Sequence, residues 1–524
     1  MKSTSKKFLA FVLAMVMVLS LVACGGGDDA KKPAGEDGEK PAAGEVEYKD
    51  TLVWGQGADV TSLDPHQGKE TPAVEVTCQI FDTLTKVDPA TGTVSPQIAE
   101  KWEIVDDTHY VFNIRKGIKF HDGSELTAED VKFSLDRAIA SASVSYIVDF
   151  IKEVNIKDEY TVELVLHAPY APALNNLALP FAAIVPKAIV EADEANFILN
   201  PIGSGPYKFI EWKQGDHIKM EAFADYMDGE SPTKYLEMRV VPEAAQRLIA
   251  LETGDLDMSY DLGPNDVQRA KDNPDVQVFE APGLTCWYIS MNLKKEPFTN
   301  PKVREALNYA IDRQLIVDTI MSGNGEPADC IIAPAVFGYY SDGPYEYNPE
   351  KAKELLAEAG YENGFKTSIW VNDNQSRIEI CQTVQAMLLD IGIDCSVEVM
   401  EFGSFIQKAN SAEHDLAFFG WTTSSQDADY TYYSLEHSTK QGASGNRSFI
   451  ADPEIDKLIE AGRSTSDPEK RKEIYKDLAI ALREYNNNIP IYYANINVGA
   501  SKGVEGFEID YNGYHDLDKV RVAK

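Results

Sequence analysis

The sequence lacks the short motifs that mark common catalytic and metal-binding sites. The spacings HExxH, GxSxG and CxxC do not occur, and neither does a phosphate-binding P-loop. The eight histidines are scattered singly along the chain. Catalytic groups can also converge from distant positions, but nothing local supports an enzyme. We therefore expect no catalytic residues, no bound metal and no cofactor.

Basic residues are few relative to acidic ones. The chain has 49 Lys and Arg against 84 Asp and Glu, which gives a formal net charge of −35. A surface of this sign repels the phosphate backbone of nucleic acids unless a basic patch is present, and no basic run occurs beyond the N-terminus. A nucleic-acid partner is therefore not expected.

Cysteine is also scarce, with six residues in a chain of 524. Apart from Cys24 near the N-terminus, no two have the close spacing of a zinc or redox motif. In a chain large enough to form its own core, scattered cysteines are more often small buried side chains than a disulfide framework. We assign no function to the other five, which are Cys78, Cys286, Cys330, Cys381 and Cys395.

The N-terminus carries a basic flank and then an apolar run over residues 8–22. This is the pattern of a secretion signal, and the run is too short for a comfortable membrane span. The alternative is an uncleaved anchor helix. The tetrapeptide Leu21-Val22-Ala23-Cys24 resembles a bacterial lipobox, in which Cys24 becomes the acylated first residue. We predict a lipoprotein signal peptide over residues 1–23.

Bulky apolar side chains are almost absent from residues 24–47. Such a segment cannot bury enough surface to offset its conformational entropy, so we predict a flexible tether. The globular body is expected to begin near Tyr48. Its length is too great for one hydrophobic core, and two or three domains are expected.

Alternating strands and helices indicate an α/β body. Residues 366–371 are predicted to form a strand, Ser376 is predicted to cap a helix that ends at Gly392, and residues 396–400 form the next strand. This order predicts a βαβ unit with parallel strands. Ligands gather at the carboxyl ends of such strands, where the loop that begins at Asn372 would lie.

A second strand leads into a polar loop at residues 418–430. Phe418 and Phe419 indicate a buried strand that we expect to break at Gly420, before a loop that carries an indole, hydroxyls and two carboxylates. A rigid sheet that holds a polar loop is a common way to build a ligand pocket. Since Asn372 and Trp421 would both follow strand ends, we predict that their loops line one cleft.

The residue types suggest separate roles in this cleft. Trp421 offers a flat apolar wall, and the Arg377 guanidinium is suited to grip a carboxylate through two hydrogen bonds. The alternative for Arg377 is a solvated side chain near a helix cap. Asp427 or Asp429 is predicted to receive an ammonium group. The remaining predicted contacts are Asn372, Thr422, Thr423, Ser424, Asn446, Arg447, Asp59, Val60 and Tyr288.

Several sequence blocks together resemble a known family. They lie at residues 81–135, 201–209, 251–257 and 301–313, and their order and spacing cover essentially the whole mature chain. The chain is similar to the large extracytoplasmic solute-binding proteins (family 5) of the peptide and nickel importers among the ATP-binding cassette (ABC) transporters. This resemblance implies a two-lobed α/β periplasmic-binding-protein fold of type II, in its large three-subdomain version, with a hinge between the lobes.

The resemblance also implies a domain organisation. Lobe I would combine residues 48–75, 186–278 and 490–524, with an extra subdomain at residues 76–185. Lobe II would span residues 279–489. Because the chain would cross between the lobes twice, paired strands could act as a hinge that closes around a solute.

The expected function is that of a lipid-anchored substrate-binding component of an ABC importer. It would capture a small peptide or peptide-like solute between the lobes and deliver it to the membrane permease as a monomer. Acylated Cys24 would hold it at the outer face of the cytoplasmic membrane of a Gram-positive-type cell, or the protein would act in the periplasm.

One position departs from the peptide-binding pattern. Peptide binders of this class usually carry an aspartate three residues after the tryptophan, where it pairs with the α-amino group, but this chain has Ser424. The loop looks closer to the glutathione-binding branch. The alternatives are therefore glutathione or another γ-glutamyl compound, a nickel chelate, haem or an oligosaccharide. A secreted hydrolase or a sensor is a more distant alternative.

Overall fold

The computed structural model describes residues 46–68, 70–88 and 91–524. The predicted signal peptide and Cys24 lie outside the described residues, as does the predicted tether up to residue 45. In the part of the chain that is described, no helix combines the length and the apolar character needed to cross a membrane.

The strands and helices alternate along the chain. The strands are β1 (Thr51–Gln56), β2 (Thr85–Val87), β3 (Val94–Pro96), β4 (Ala99–Asp106), β5 (His109–Ile114), β6 (Ile151–Asp158), β7 (Thr161–Leu166), β8 (Tyr207–Lys213), β9 (His217–Ala222), β10 (Tyr235–Val240), β11 (Met258–Tyr260), β12 (Val276–Met291), β13 (Gly325–Pro327), β14 (Lys366–Asn372), β15 (Asp394–Met400), β16 (Leu416–Thr422), β17 (Asn488–Ser501), β18 (Val504–Glu505) and β19 (Arg521–Val522). The α-helices are α1 (Thr71–Ile80), α2 (Ala128–Ala140), α3 (Ser145–Val148), α4 (Ala173–Asn176), α5 (Lys187–Ala192), α6 (Glu194–Leu199), α7 (Ala244–Thr253), α8 (Pro264–Asp272), α9 (Pro301–Tyr309), α10 (Arg313–Thr319), α11 (Pro349–Glu358), α12 (Gln375–Asp390), α13 (Phe402–Asn410), α14 (Ala428–Glu436), α15 (Pro453–Ser464) and α16 (Pro468–Tyr485).

A large mixed sheet runs through the molecule, as the α/β prediction requires. Its strands follow the order β15-β14-β16-β12-β17-β11-β1-β10-β9-β8, and β13 pairs with β17. The two longest strands, β12 and β17, lie side by side and antiparallel in the middle of this order. Each therefore contributes to both halves of the sheet.

A separate antiparallel sheet has the order β4-β5-β7-β6. Along β5, alternate residues such as Phe112 and Ile114 point inward, because successive side chains of a strand face opposite sides. Helix α2 covers this sheet with an apolar face, in which Val131 and Leu135 are buried. The Thr127 backbone N–H donates to Asp130 Oδ2 at 2.9 Å as part of a capping box.

The predicted βαβ unit is present as β14, α12 and β15, and the two strands are parallel. The predicted helix cap at Ser376 is wrong by two residues. The Asn374 side chain caps α12, because its Oδ1 atom accepts a hydrogen bond from the Arg377 backbone N–H at 3.2 Å. Ser376 instead lies in the first turn of the helix.

The expected break at Gly420 is also wrong, because β16 continues to Thr422. Gly420 pairs with Trp287 on β12, and a Cβ atom at position 420 would stand 2.8 Å from the Trp287 ring. The glycine therefore makes room for an indole that covers the strand. Strand β16 is parallel to β14, so the carboxyl ends of both strands lie at the same edge of the sheet.

The five cysteines in the described residues are all free thiols. Cys286, Cys381 and Cys395 are buried, whereas Cys78 and Cys330 are half-buried. Burial raises the pKa of the Cys381 thiol, so the neutral form predominates. This agrees with the prediction of small structural side chains.

Candidate solute-binding site

The Trp421 indole is held in one orientation at the end of β16. Its Nε1 atom donates to Thr431 Oγ1 at 3.1 Å, and the Thr423 hydroxyl lies 2.7 Å from the same oxygen. The ring of Tyr430 lies 5.7 Å away, centroid to centroid. Because Trp421 remains half-buried rather than enclosed, part of its ring is accessible at the end of the strand.

Residues that pack with the β4-β5-β7-β6 sheet also approach the Trp421 loop. The Tyr146 ring on α3 lies 6.5 Å from that of Tyr430 and is 46% exposed. The Asn175 side chain on α4 donates to the Ser425 carbonyl at 3.1 Å. We did not predict Tyr146 or Asn175 from the sequence, since neither belongs to a motif and only the packing brings them to the loop.

The Asp427 carboxylate forms an ion pair and a helix cap within the protein. Its two carboxylate oxygens accept hydrogen bonds of 2.8 Å from the Arg471 guanidinium, and Oδ1 also accepts the Asp429 backbone N–H at 3.0 Å to cap α14. The residue is only 2% exposed. This geometry argues against Asp427 as the acceptor of a solute ammonium group.

Asp429 also faces a cation of the protein. Its Oδ1 atom lies 3.6 Å from Arg463 Nε, and the same oxygen is buried without a hydrogen-bond partner among the described residues. Burial raises the pKa of the Asp429 carboxyl to about 6, although Arg463 opposes the shift. Arg463 itself lies 3.4 Å above the Tyr433 ring. Asp429 is therefore less accessible to a solute than the sequence suggested.

The Arg377 guanidinium is held by Asn372 and by the Trp287 ring. Its Nη1 atom donates to Asn372 Oδ1 at 2.9 Å, and its guanidinium carbon lies 4.3 Å from the centroid of a Trp287 ring. Within residues 46–68, 70–88 and 91–524, no carboxylate lies at ion-pairing distance from it. Burial lowers the pKa of Arg377, and the nearby Asp261 partly opposes this shift. The guanidinium is thus oriented while most of its donors stay unpaired.

The hydroxyls of the loop have protein partners. Thr422 Oγ1 lies 2.7 Å from Thr285 Oγ1 on the neighbouring strand. Ser424 is buried near Tyr430 and Tyr514, and its hydroxyl lowers the pKa of each phenol against the larger effect of burial. Thr422 thus has a hydroxyl partner on β12, and Ser424 stays a predicted contact.

Other predicted contacts have structural surroundings. Asn446 is buried and donates to the carbonyls of His437 and Ile450 at 3.1 and 3.0 Å. Arg447 Nε donates to Asn410 Oδ1 at 2.9 Å. These contacts hold the segment after α14 in place. The Nε atom of Arg447 is already hydrogen-bonded and is not available for the predicted second anion contact.

The predicted contacts Asp59, Val60 and Tyr288 have structural surroundings. Asp59 accepts hydrogen bonds from the Trp212 indole at 3.0 Å and from the Gly215 backbone N–H at 2.6 Å, and Val60 is buried. Tyr288 is 2% exposed on β12, where it pairs with Phe419 of β16, and the two ring centroids lie 6.1 Å apart. The structure therefore brings Asn372 and Arg377 together, whereas Trp421 packs with Tyr430 in a different cluster.

A cavity of about 340 Å³ adjoins the loop and is lined partly by Ser424 and Gln426. Among the described residues, no group of three or more His, Cys, Asp or Glu side chains is arranged to hold a metal ion. The loop contributes Ser424 and Gln426 to this cavity, and the lining residues include neither Trp421 nor Arg377.

Known proteins share this sequence and fold. The chain is 31% identical over 477 residues to the dipeptide-binding protein of Escherichia coli (strain K12), covering 84% of this chain and 89% of that protein. It is 30% identical to the glutathione-binding protein GsiB of the same organism, covering 88% and 92%. The ABC transporter-associated periplasmic binding protein DppA from Helicobacter pylori, in complex with peptide STSA, superposes with a TM-score of 0.79 at 30% identity, covering 90% and 98%.

These similarities confirm the predicted two-lobed periplasmic-binding-protein fold and a binding protein rather than an enzyme. The model of the family "Bacterial extracellular solute-binding proteins, family 5 Middle" matches residues 93–443. This match spans more than half of the chain and includes the Trp421 loop. The chain therefore belongs to the extracellular solute-binding proteins of family 5.

Proposed function

We propose that this protein binds a small peptide or a peptide-like solute and delivers it to the permease of an ABC importer. The observation that carries the proposal is the Arg377 guanidinium, which is oriented by Asn372 and yet pairs with no carboxylate in the described chain. A guanidinium in this state is suited to receive a carboxylate through two parallel hydrogen bonds. The relatives named for dipeptides and glutathione bind solutes that carry such carboxylates.

The Trp421 wall supports the same assignment. Gly420 pairs with Trp287, whose ring supports Arg377, and the next residue, Trp421, packs with Tyr430 on the other face of the strand. An aromatic face can pack against a peptide backbone or an apolar side chain while the guanidinium holds the carboxylate. The two contacts together would orient an elongated solute at the edge of the sheet.

Closure would follow from the long central strands. We infer that lobe I comprises residues 48–75, 186–278 and 490–524 with its extra subdomain at 76–185, and that lobe II comprises residues 279–489. Strands β12 and β17 then run from one lobe into the other and would serve as the hinge. A solute that contacts both lobes favours the closed state by its differential affinity for that state.

The amino end of the solute is less constrained than its carboxyl end. Asp427 is paired with Arg471, and Ser424 offers a hydroxyl where peptide binders of the class carry a carboxylate. A solute with its ammonium group at another position, such as a γ-glutamyl compound, would fit this arrangement. Glutathione is therefore the second candidate, and the similarity to a glutathione-binding protein supports it.

The protein acts outside the cytoplasm, as members of this family do. We further propose that residues 1–23 are a signal peptide and that acylation of Cys24 anchors the mature protein to the membrane. Residues 24–47 would then be a tether that keeps the binding domain near its permease.

Titration calorimetry on the refolded, solute-free protein tests the proposal. Dipeptides, tripeptides and glutathione should include at least one compound that binds with a Kd of about 10 μM or lower, corresponding to a binding free energy of about −7 kcal/mol. Mass spectrometry of the protein purified without refolding should identify the same class of compound. Absence of binding for all of them, or release of cleavage products from a peptide, would overturn the proposal.

A further inference from the structure

The subdomain at residues 76–185 makes a direct contact with helices α14 and α15. The Ala171 backbone N–H donates to the Arg463 carbonyl oxygen at 2.8 Å. The Asn175 side chain donates to the Ser425 carbonyl oxygen, shortly before α14, at 3.1 Å. Since the subdomain belongs to the proposed lobe I, and α14 and α15 belong to the proposed lobe II, both hydrogen bonds cross from one lobe to the other.

An arginine of α15 is held by groups from both sides of this contact. The Arg463 guanidinium carbon lies 3.4 Å from the centroid of the Tyr433 ring, and its Nε atom lies 3.6 Å from Asp429 Oδ1. Both partners lie on α14 and orient the guanidinium within lobe II. From the subdomain, the buried Tyr170 ring approaches the guanidinium carbon to 5.1 Å, measured from its centroid. Because the attraction between a cation and an aromatic ring strengthens as water is excluded, Arg463 ties the two sides together.

Two further contacts extend the interface beyond Arg463. The Tyr146 ring on α3 lies 6.5 Å from the Tyr430 ring on α14, centroid to centroid. The Ser466 hydroxyl, just after α15, donates to Asp107 Oδ1 at 3.3 Å. Asp107 lies in the turn between β4 and β5, so the interface reaches from that turn to α3 and α4. A contact spread over several segments fixes how its two sides meet.

The interface has the character of a contact that can break without unfolding either side. Asn175 and Arg463 are half-buried, and Tyr146 is 46% exposed. Water can replace a hydrogen bond in such a position, so each bond contributes only modestly to the free energy of closure. The covalent connection between the proposed lobes runs instead through the long strands β12 and β17.

Opening about these hinge strands would have to break the interface. A contact that exists only in the closed state favours that state by its own free energy, in addition to what a solute contributes. We propose that Tyr146, Tyr170 and Asn175 form a clasp with α14 and α15 that keeps the lobes closed even before a solute binds. This inference rests on the lobes and the hinge of the proposed function, and it is independent of which solute the protein takes.

Hydrogen exchange of the refolded, solute-free full chain tests the clasp. The Ala171 amide reports on it directly, because its hydrogen-bond acceptor belongs to the other lobe. The variant Tyr146→Ala/Asn175→Ala removes one ring contact and one hydrogen bond at exposed or half-buried positions, outside the core of the subdomain. We expect the peptide segment that contains Ala171 to exchange about tenfold faster in this variant than in the wild type.

A second measurement distinguishes opening of the lobes from loosening of the subdomain alone. The radius of gyration from small-angle X-ray scattering should be larger for the solute-free variant than for the wild type, because an open cleft makes the molecule less compact. Faster exchange at Ala171 with an unchanged radius would overturn the inference, since the subdomain would then detach while the lobes stay closed.

A matched control removes the same two types of side chain elsewhere. The variant Tyr347→Ala/Asn200→Ala deletes an exposed tyrosine ring before α11 and an exposed asparagine that donates to Asn196 Oδ1 at 3.0 Å. Its exchange at Ala171 and its radius of gyration should match those of the wild type.

The outcomes separate this inference from the proposed function. Rapid exchange at Ala171 in the solute-free wild type would overturn the clasp, and so would equal exchange in the wild type and in the Tyr146→Ala/Asn175→Ala variant. Neither measurement uses a solute. If no peptide or glutathione binds in calorimetry but the variant still exchanges faster and expands, the solute assignment fails and the clasp stands.

Discussion

Arg471 on α16 holds Asp427 at the start of α14 with two hydrogen bonds of 2.8 Å, and both side chains are buried. The carboxylate also caps α14, so one residue joins two helices and fixes the end of the Trp421 loop. The Asp427 carboxylate, which the sequence suggested for binding a solute ammonium group, thus has a structural role in the fold.

Asp427→Asn should destabilise the protein by about 3 kcal/mol, because removal of one partner leaves the other charge buried and uncompensated. Urea unfolding monitored by circular dichroism provides the measurement. The control Asp390→Asn, at an exposed position, should change the free energy of unfolding by less than about 0.5 kcal/mol. Equal stability of Asp427→Asn and the wild type would refute the structural role.

Arg377→Ala should weaken the binding of carboxylate solutes by more than about tenfold, since a hydrogen bond to a charged group contributes about 1.5–3 kcal/mol. Calorimetry with a peptide and its C-terminal amide isolates the effect. The wild type should discriminate between them, and the variant should not. The control Arg269→Ala removes an exposed arginine of α8 that pairs with Glu252, and it should preserve the discrimination. Unchanged affinity in Arg377→Ala would remove this residue from the site.

Gly420→Ala should lower both stability and solute affinity. The added Cβ atom would lie 2.8 Å from the Trp287 ring, and overpacking of this kind costs about 1–3 kcal/mol. The displaced indole would no longer support Arg377. Urea unfolding and calorimetry measure the two effects. The control Gly403→Ala in α13 meets only the end of the Glu401 side chain, so a comparable loss in that variant would contradict the explanation.

Glu436 should make stability depend on pH. Its carboxylate is buried among Asn487 and Asn488, and burial raises the pKa from 4.5 to about 8. Between these two values the folded protein retains a proton that the unfolded chain has lost, so stability falls as pH rises from about 4.5 to about 8. This contribution reaches about 5 kcal/mol in total.

The variant Glu436→Gln isolates that contribution because glutamine stays neutral. The difference in unfolding free energy, variant minus wild type, should increase with pH across this window and become constant above it. Urea unfolding at several pH values measures the difference. A difference that does not vary with pH would show that Glu436 has an ordinary pKa.

Local sequence signals predicted much of the fold correctly. The helices that begin after Asn300, Asn348, Asp452 and Asp467 each have proline in the first turn and a side-chain cap, which is a local pattern that favours a helix start. The βαβ unit of β14, α12 and β15 follows from apolar periodicity. These features depend on residues within a few positions of one another.

The errors have a common physical cause. Gly420 was expected to end a strand, but the Trp287 indole from a different strand occupies the space that a side chain would fill. Ser376 was expected to cap a helix, but Asn374 competes for the same backbone groups two residues earlier. A contact from another strand decided the first case, and a neighbouring cap residue decided the second.

The sequence by itself determined the family, the α/β class and the position of the Trp421 loop, because these depend on local patterns and on the order of motifs along the chain. Only the tertiary structure decided which polar groups are available. Arg471 lies 44 residues from Asp427, so their pairing depends on how the helices pack and not on any local pattern. Packing placed arginines beside Asp427 and Asp429, because an ion pair forms wherever the fold brings opposite charges within a few ångströms.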